Sequence, residues 1–362
     1  MAVGLPLKTT YANGDVYSAS DVNDTNGTIN LLQTSTFGFA AGKNKIINGD
    51  FEVWQRGSSF SNPANEAYLA DRFNIVFDGS GSTRTVSRQT FTPGTAPVAG
   101  YEGEYFIRMA QTVAGSGGTY LGFNQRIEDV RTFAGQTVTL SFWAKADATR
   151  TILPNLQQNF GSGGSATVNI TSGFTSTNLT TSWARYTFTV SVPSISGKTV
   201  GTSSFLQLFF GFAANTVQTV DIWGVQLEAG STATAFQTAT GTIQNELAAC
   251  QRYYYRATAQ VTSFYITTGT GFARNTTIAY IPFFVPVTMR AISSLDYSGI
   301  RAVRASTDVG YTSGTFAFTG NYTSNIAELS YTHGSAVFTQ GEVVYLGNNN
   351  SNPCYIGLNG EL

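Results

Sequence analysis

The sequence predicts a mainly β protein with four parts: an N-terminal arm with a short helix, a jelly-roll β-sandwich, a short connecting helix and a second, smaller β domain. Three observations predict this class. Short runs of alternating apolar and polar residues recur along the chain. Turns rich in Gly, Ser and Pro separate these runs. Only 11% of the residues are charged, whereas 42% are hydrophobic and 13% aromatic, which favours a turn-rich globular protein over a disordered chain.

The clearest strand pattern is the run Thr219–Gly230. It begins with β-branched residues, alternates through its centre and ends at a glycine, as a half-buried strand does. Strict alternation places Trp223, Val225 and Leu227 on one face. We expect this run to be the last strand of the sandwich.

The sandwich is predicted over residues 43–237. Strand-like runs lie within it at 72–77, 105–110, 120–127, 137–145, 167–170, 183–192 and 205–212. No helical pattern interrupts them. Strands at this spacing, joined by turns, are typical of two packed sheets of the jelly-roll type.

The segment before the sandwich, residues 1–42, is predicted to be an arm rather than part of a sheet. Val22, Ile29 and Leu32 fall at near-helical spacings and give a polar helix a narrow apolar stripe. Such a stripe suits packing against a partner or a sister chain. A simple N-terminal arm is an equally open interpretation.

A helical connector is predicted over residues 238–251, because Ile243, Leu247 and Cys250 recur at helical spacing. The second β domain is predicted over 252–362. Its strand-like runs lie at 253–256, 261–267, 276–284, 315–318, 328–332 and 342–346. Pro282 and Pro286 interrupt an apolar run, which predicts an edge strand or a strand end there.

Charge and composition exclude several partners. The net charge of −1 lacks the basic footprint of a nucleic-acid-binding protein. We expect no membrane insertion, because no run approaches the ~18 apolar residues of a membrane span. We also expect no signal peptide, since the first residues lack a basic segment followed by an apolar run. Cys250 and Cys354 could form a disulfide, but two buried free thiols are the favoured interpretation.

Catalytic chemistry is not predicted, and no catalytic residue is proposed. His333 has no nucleophile or orienting acid near it in the sequence. Glycoside hydrolysis needs two carboxylates at a fixed separation, which a sequence cannot show. The sequence therefore favours a non-enzymatic protein.

Carbohydrate binding needs only a flat aromatic ring and a few planar polar side chains on a rigid sheet. Alternation in the run 137–145 places Trp143 and Lys145 on its outward face, and the run 120–127 places Tyr120, Asn124 and Arg126 outward. These residues form one groove if both strands belong to one sheet. The competing interpretation is that a loop or a neighbouring subunit covers Trp143.

Several stretches of the sequence resemble phage virion proteins, mostly tail-fibre and receptor-binding proteins. The segment 13–23 is similar to the segment by which such fibres dock on the particle. The segments 48–57, 70–73, 141–145 and 220–228 are similar to phage sandwich domains, which in turn resemble jelly-roll carbohydrate-binding modules. The segments 245–255 and 284–291 are similar to the C-terminal part of the same group.

This resemblance implies a homotrimer made in the host cytoplasm and assembled into a virion. Its N-terminal arm would contact other virion proteins, and its ligand would be a host-surface polysaccharide. The related modules also hold a structural Ca²⁺, for which the matching positions here are Asp50, Glu52 and Asp221. Oxygen ligands suit this hard cation, although the same residues could be turn and strand-end residues without a metal.

Two other functions stay open. A decoration or cement protein of the capsid or tail could use the same sandwiches without binding sugar. A polysaccharide-cleaving tail spike is the weaker third interpretation.

Overall fold

The structure is a computed structural model that describes residues 42–98, 101–258, 265–323, 325–348 and 354–362. It confirms the mainly β fold class, because strands predominate and the described chain has one α-helix. That helix is too short and too polar to cross a membrane. The predicted arm and its helix lie outside the described residues, except for Gly42.

The first β region has twelve strands in two sheets, counted over the part of the chain that the structure describes. The strands are β1 Ser59–Ser61, β2 Phe73–Phe77, β3 Thr83–Thr90, β4 Tyr105–Val113, β5 Leu121–Glu128, β6 Thr137–Ala146, β7 Arg150–Asn159, β8 Val168–Ile170, β9 Thr177–Leu179, β10 Ala184–Ser191, β11 Phe205–Phe212 and β12 Gln218–Ala229. Sheet A has the order β1-β3-β4-β12-β6-β10. Sheet B has the order β2-β5-β11-β7-β8, with β9 paired to β7. Each of these pairings is antiparallel.

The core lies between sheets A and B. Phe142 of sheet A meets Phe210 of sheet B edge to face, with ring centroids 4.9 Å apart. Along β11, Leu206, Leu208 and Phe210 point into this core. Because side chains alternate across a strand, the intervening residues of β11 point away from the core. Those outward residues form the site described below.

A β-bulge in β12 overturns the predicted alternation around Trp223. The pairing of β12 with β6 shifts between Trp223 and Gln226, and Gly224 has φ +65°. The extra residue reverses the faces, as bulges do. Val225 and Leu227 point into the core between the sheets, whereas Trp223 packs in a separate aromatic cluster on the other side of sheet A.

The predicted connecting helix is present as α1, Ile243–Gln251. Thr242 caps its N-terminus, with its hydroxyl oxygen accepting from the Asn245 N–H at 3.3 Å. Glu246 of the helix is buried and accepts from the Asn48 N–H at 2.6 Å and the Thr240 hydroxyl at 2.7 Å. These bonds fasten the helix to the start of the sandwich.

The described residues of the second β region form ten strands. They are β13 Tyr254–Thr258, β14 Tyr265–Ala273, β15 Ile278–Phe284, β16 Ser294–Ser298, β17 Ile300–Arg304, β18 Val309–Tyr311, β19 Thr315–Tyr322, β20 Ile326–Thr332, β21 Val343–Asn348 and β22 Tyr355–Asn359. One sheet has the order β13-β22-β16, and the other has the order β18-β17-β21-β14-β15-β20-β19. A second apolar core includes Ile281, Phe283 and Leu329.

Of the two places predicted for the proline-containing run, the edge strand is wrong, because β15 lies between β14 and β20 inside its sheet. The strand end is the observed place, since Pro282 lies near the end of β15 and Pro286 follows it. The paired residues of β14 and β15 end at Phe272 and Tyr280, before Pro282 is reached. On its other side, the pairing of β14 with β21 is irregular between Tyr265 and Thr270. Pro282 therefore lies beyond the paired part of β14, where its missing N–H costs little.

The bulge at Gly224 gives a first testable prediction. A Cβ atom there would lie 2.7 Å from the Trp143 ring, and the positive φ disfavours any other residue. Gly224→Ala should therefore lower the free energy of unfolding by about 2 kcal/mol or more, measured by urea denaturation. Gly334→Ala is the control, because a Cβ at Gly334 meets no atom within 4 Å. Equal losses for the two variants would contradict this role of the bulge.

Candidate functional site

The five predicted groove residues do not share one sheet. Trp143 and Lys145 belong to β6 in sheet A, whereas Asn124 and Arg126 belong to β5 in sheet B and Tyr120 directly precedes it. The two sheets pack against each other, so their outward faces point to opposite sides. The single groove predicted from both strands is therefore wrong.

Trp143 has no free face for a sugar. It is only 8% exposed and packs against Trp223 and Phe236, with ring centroids 5.5 and 6.3 Å away. The Arg185 guanidinium carbon lies 4.6 Å from its ring centroid. The competing interpretation is the correct one, since a loop that carries Phe236 covers Trp143. Lys145 is also engaged, with its Nζ atom 3.7 Å from Asp221 Oδ2.

The other three predicted residues line one open cleft of about 490 Å³ on the outward face of sheet B. The cleft is rich in carboxamides and contains aromatic rings. Its lining residues are Asn65, Glu66, Val76, Tyr120, Asn124, Arg126, Asn155, Gln157, Asn159, Asn169, Thr171, Phe205, Gln207 and Phe209.

Strand register arranges these side chains in rows across the sheet. Phe209 of β11 lies opposite Asn124 of β5 on one side and Asn155 of β7 on the other. One row further along, Gln207 lies between Arg126 and Gln157. Directly opposed residues have Cβ atoms within about 5.5 Å of each other. Aromatic and amide groups therefore stand side by side on a rigid floor.

Two glycines give the Phe209 ring its orientation. A Cβ atom at Gly122 would lie 2.4 Å from Phe209 Cε2, and one at Gly211 would lie 2.9 Å from Cε1. The far end of the ring thus occupies the space that side chains at these positions would fill. The ring is therefore oriented along the surface of β5 and β11 rather than perpendicular to the sheet. In this orientation it presents a flat apolar surface to the cleft.

The cleft floor contains an unpaired polar group. Asn124 is only 3% exposed, and its Oδ1 atom has no hydrogen-bond partner among the described residues. The side chain of Asn74, opposite Asn124 on β2, is equally buried and lacks partners for both polar atoms. A buried polar atom without a partner costs free energy. A ligand hydroxyl in the cleft could satisfy Asn124.

Charged groups are confined to one end of the cleft. Glu66 and Arg126 are the only acid and base among its lining residues, and their side chains lie 3.6 Å apart. The Arg126 guanidinium carbon lies 5.1 Å from the Phe205 ring centroid. The remaining lining is uncharged, which suits a ligand with hydroxyl groups.

Sequence reasoning missed the residues of β7 and β11 in this cleft. The signal was present in the run Phe205–Phe212, where Phe205, Gln207 and Phe209 alternate with Leu206, Leu208 and Phe210. Aromatic rings and an amide that alternate with buried residues indicate an outward face that could bind a ligand. The same pattern also fits a strand that is buried on both faces. The two cases can be distinguished only when the neighbouring strands are known.

The predicted calcium ligands do not form a metal site. Asp221 is held by Arg108, whose Nε and Nη2 atoms donate to Asp221 Oδ1 and Oδ2 at 2.7 and 2.8 Å. Glu52 accepts from the backbone N–H groups of Glu104 and Tyr105. No cluster of three or more His, Cys, Asp or Glu side chains within the described ranges could hold a metal ion. The paired Asp221 therefore removes one ligand from the set.

Asp50 and Glu52 instead line a second cavity of about 480 Å³ beside Tyr101. Burial, with the neighbouring carboxylates of Glu246 and Glu52, raises the pKa of Asp50 to about 7. Burial likewise raises the pKa of Glu52. A raised pKa favours the neutral, protonated form of a carboxyl group, so burial in this cavity disfavours the charged forms of Asp50 and Glu52.

The described contacts of His333 do not form a catalytic triad. Its Nε2 atom lies 2.8 Å from Ser313 Oγ, and its Nδ1 atom contacts the backbone of Ser335. These described hydrogen bonds include no carboxylate that would orient the ring for nucleophilic catalysis.

Three solved structures similar to this chain each cover about half of it. One described as CBM4 is 22% identical over 51% of this chain and 98% of its own, with a TM-score of 0.31. The family 11 carbohydrate-binding module from Clostridium thermocellum, in complex with a β-1,3-1,4-mixed-linked tetrasaccharide, is 14% identical over 49% of this chain and 98% of its own, with a TM-score of 0.29.

The enzymatically active domain of bacteriophage CBA120 tailspike protein 4 is 16% identical over 52% of this chain and 22% of its own, with a TM-score of 0.33. No protein-family model and no curated protein matches the chain. Likeness at this level concerns the sandwich fold alone. The case for a function comes from the cleft itself.

The burial of Trp143 gives the second prediction. Trp143→Ala should lower the free energy of unfolding by about 3–5 kcal/mol, because it empties a packed aromatic cluster. Tyr120→Ala is the control, since Tyr120 is 41% exposed and its loss should cost less than about 1 kcal/mol. Denaturant unfolding measures both. A small loss for Trp143→Ala would mean that the cluster is not packed as described.

The raised pKa of Asp50 gives the third prediction. An aspartate has a pKa of about 3.9 in the unfolded chain, whereas the folded-state pKa is about 7. Between these values the folded state binds the extra proton. Stability should therefore fall as pH rises through this window, by up to about 1.4 kcal/mol per pH unit.

Asp50→Asn should remove the part of this dependence that Asp50 contributes. The variant should match the wild type near pH 4 and exceed its free energy of unfolding above pH 7, measured by urea denaturation across the window. Glu102→Gln is the control, because Glu102 is exposed and lines the same cavity. Parallel pH profiles for wild type and Asp50→Asn would show that Asp50 does not titrate in this way.

Proposed function

We propose that this protein is a non-enzymatic carbohydrate-binding protein and that the cleft on sheet B is its sugar site. One observation carries the proposal: the Phe209 ring lies flat on Gly122 and Gly211, next to the row in which Phe209 is flanked by Asn124 and Asn155 in the strand register. A flat ring packs against the apolar face of a pyranose, and carboxamides both donate to and accept from hydroxyl groups.

The cleft suits an uncharged stretch of polysaccharide. Its single cation, Arg126, is already placed against Glu66, and the amides along β7 and β11 carry no charge. Phe205 and Phe209 lie four residues apart on one strand, which separates their Cα atoms by about 13 Å. A sugar chain that follows β11 could contact both rings.

The cleft also supports a binding role over a hydrolytic one. Two opposed carboxylates are needed for glycoside hydrolysis, and Glu66 is the only carboxylate among the residues that line the cleft. Its side chain is 62% exposed and pairs with Arg126. Incubation with host capsule and an assay for new reducing ends tests the cleaving-spike alternative, and release of sugar would establish it.

We further propose that the protein serves as a phage tail fibre or receptor-binding component. The sequence resemblance supports this setting: an N-terminal arm on the particle, a homotrimer, and host-surface polysaccharide as the ligand. The expected location is the virion. A tagged protein imaged on the particle tests the location, and competition with phage adsorption tests the receptor role.

A decoration or cement protein is the second candidate, and the exposed aromatic residues of the second β region favour it. Phe272, Phe284 and Tyr322 are each 53% exposed in the seven-stranded sheet. Apolar surface of this kind marks contact sites. A cement protein should stabilise particles without labelling host cells, whereas a receptor-binding protein should label them.

Phe209 gives the fourth prediction. Phe209→Ala should weaken polysaccharide binding by ~1–2 kcal/mol, roughly tenfold in Kd, because the sugar loses its stacking surface. Affinity electrophoresis of the full chain measures this in gels containing hydroxyethylcellulose, mixed-linkage β-glucan, arabinoxylan or host capsule. Alginate serves as the acidic comparison. The polysaccharide that retards the wild type is then used for the variants.

Two controls isolate stacking from folding. Phe209→Tyr keeps the flat ring and should retain most of the affinity, and Phe272→Ala removes an exposed ring outside the cleft. Unchanged retardation of Phe209→Ala would show that the sugar, if bound, lies elsewhere. Failure of every polysaccharide in the panel to retard the wild type would argue against the proposed function.

A further inference from the structure

The segment Gly360–Leu362, which follows β22 of the second β region, reaches the end of the cleft on sheet B. The backbone oxygen of Leu362 accepts hydrogen bonds from Arg126 Nη1 and, at 3.1 Å, from the Tyr68 hydroxyl. Arg126 lines the cleft. A cleft residue of the sandwich is thus bonded to the other β region of the chain.

Buried ion pairs hold this segment in place. Arg72 is only 1% exposed, and its Nη1 atom pairs with Glu361 Oε2. Arg56 Nη2 lies 3.3 Å from Glu361 Oε1. Both arginines belong to the sandwich, so Glu361 is the anion that joins the two β regions at this point. Breaking a buried pair leaves an uncompensated charge and is strongly unfavourable.

Residues of the second β region also hydrogen-bond the segment Gly360–Leu362. Arg290 donates from Nε to the Gly360 backbone oxygen at 3.0 Å and from Nη2 to the Glu361 backbone oxygen at 2.9 Å. The Gly360 N–H donates to the Tyr253 backbone oxygen at 2.7 Å. The position of Leu362 is therefore fixed by both regions at once.

Arg72 connects the ion pairs to the cleft strand directly. Its Nη2 atom donates to the backbone oxygen of Arg126 at 2.5 Å. Arg126 is consequently held at two places, its backbone by Arg72 and its guanidinium by Leu362. In this position its guanidinium carbon lies 5.1 Å from the Phe205 ring centroid, within cation–π range.

We infer that Glu361 and the segment Gly360–Leu362 are positioning residues for the sugar site, because they hold Arg126 against Phe205 at one end of the cleft. The inference rests on the proposed function and adds a regulator to it: affinity depends on docking of the second β region. Without the Leu362 contact, the one polar partner left to the Arg126 guanidinium among the described residues is Glu66, which is mostly exposed and lies 3.6 Å away. An exposed pair of this kind orders an arginine weakly.

The test uses the full chain with Glu361→Gln, Arg126→Ala and the double variant. The control is Glu342→Gln, which breaks another ion pair of the second β region, Arg304–Glu342, away from the cleft. One readout is Kd for whichever polysaccharide retards the wild type. Because a charge-assisted hydrogen bond is worth about one factor of ten, Glu361→Gln should weaken binding by about tenfold.

The coupling between the two substitutions, measured from the Kd values, distinguishes a positioning role of Glu361 from a general loss of structure. Arg126→Ala should cost about as much as Glu361→Gln, and the double variant should lose no more than Arg126→Ala alone, since both changes remove one arrangement. Glu342→Gln should bind like the wild type. Additive losses, or an equal loss in Glu342→Gln, would overturn the inference.

A second readout needs no sugar. Phenylglyoxal modifies accessible guanidinium groups, and mass spectrometry gives the rate at Arg126. Release of its Leu362 contact should raise that rate severalfold in Glu361→Gln and leave the rate at Arg150, paired with Asp147 in the sandwich, unchanged. An unchanged rate at Arg126 would overturn the inference. A raised rate in a protein that binds none of the polysaccharides would reject the proposed function alone.

Glu361→Asp guards against misfolding. It keeps the negative charge with a shorter side chain, so it should preserve docking better than Glu361→Gln and give intermediate Kd and modification rates. Circular dichroism and thermal unfolding of each variant establish that the sandwich is intact before binding is measured. Identical behaviour of Asp and Gln variants would show that the charge of Glu361 does not position Arg126.

Discussion

The face-to-face packing of sheets A and B is the constraint from which the rest of this protein follows. Every second side chain of β11, such as that of Leu208, is inside the sandwich, so the intervening ones must face outward. The floor of the cleft on sheet B consists of such outward-facing residues. Core stability and ligand contact are therefore carried by alternate residues of the same strands.

Three glycines determine how aromatic rings are oriented on the two sheets. Gly122 and Gly211 leave room on the sheet surface for the Phe209 ring to lie flat, while Gly224 adds a residue to β12 and turns Trp223 away from the core. In each case a missing side chain decides the direction of an aromatic ring. The two outcomes differ: Phe209 remains at the surface of a cleft, whereas Trp223 is sealed beneath a loop.

The contact between the two β regions contains buried ion pairs, whereas the core of each region is apolar. Arg56, Arg72 and Glu361 are largely withdrawn from water, and the ion pairs that the two arginines make with Glu361 exist only when the regions are docked. Buried charges of this kind favour one arrangement, since any other leaves a charge unpaired. The cleft lies next to this contact, and Arg126 participates in both.

The sequence by itself determined the mainly β class, the connecting helix and three members of the cleft, because alternation and helical spacing are local properties of the chain. Only the tertiary structure decided that β5 and β6 belong to different sheets, which separates Asn124 from Trp143. It also decided that Asp221 pairs with Arg108 rather than with the other predicted ligands. Strand order and charge pairing join residues far apart in the chain, and no local pattern specifies which strands become neighbours.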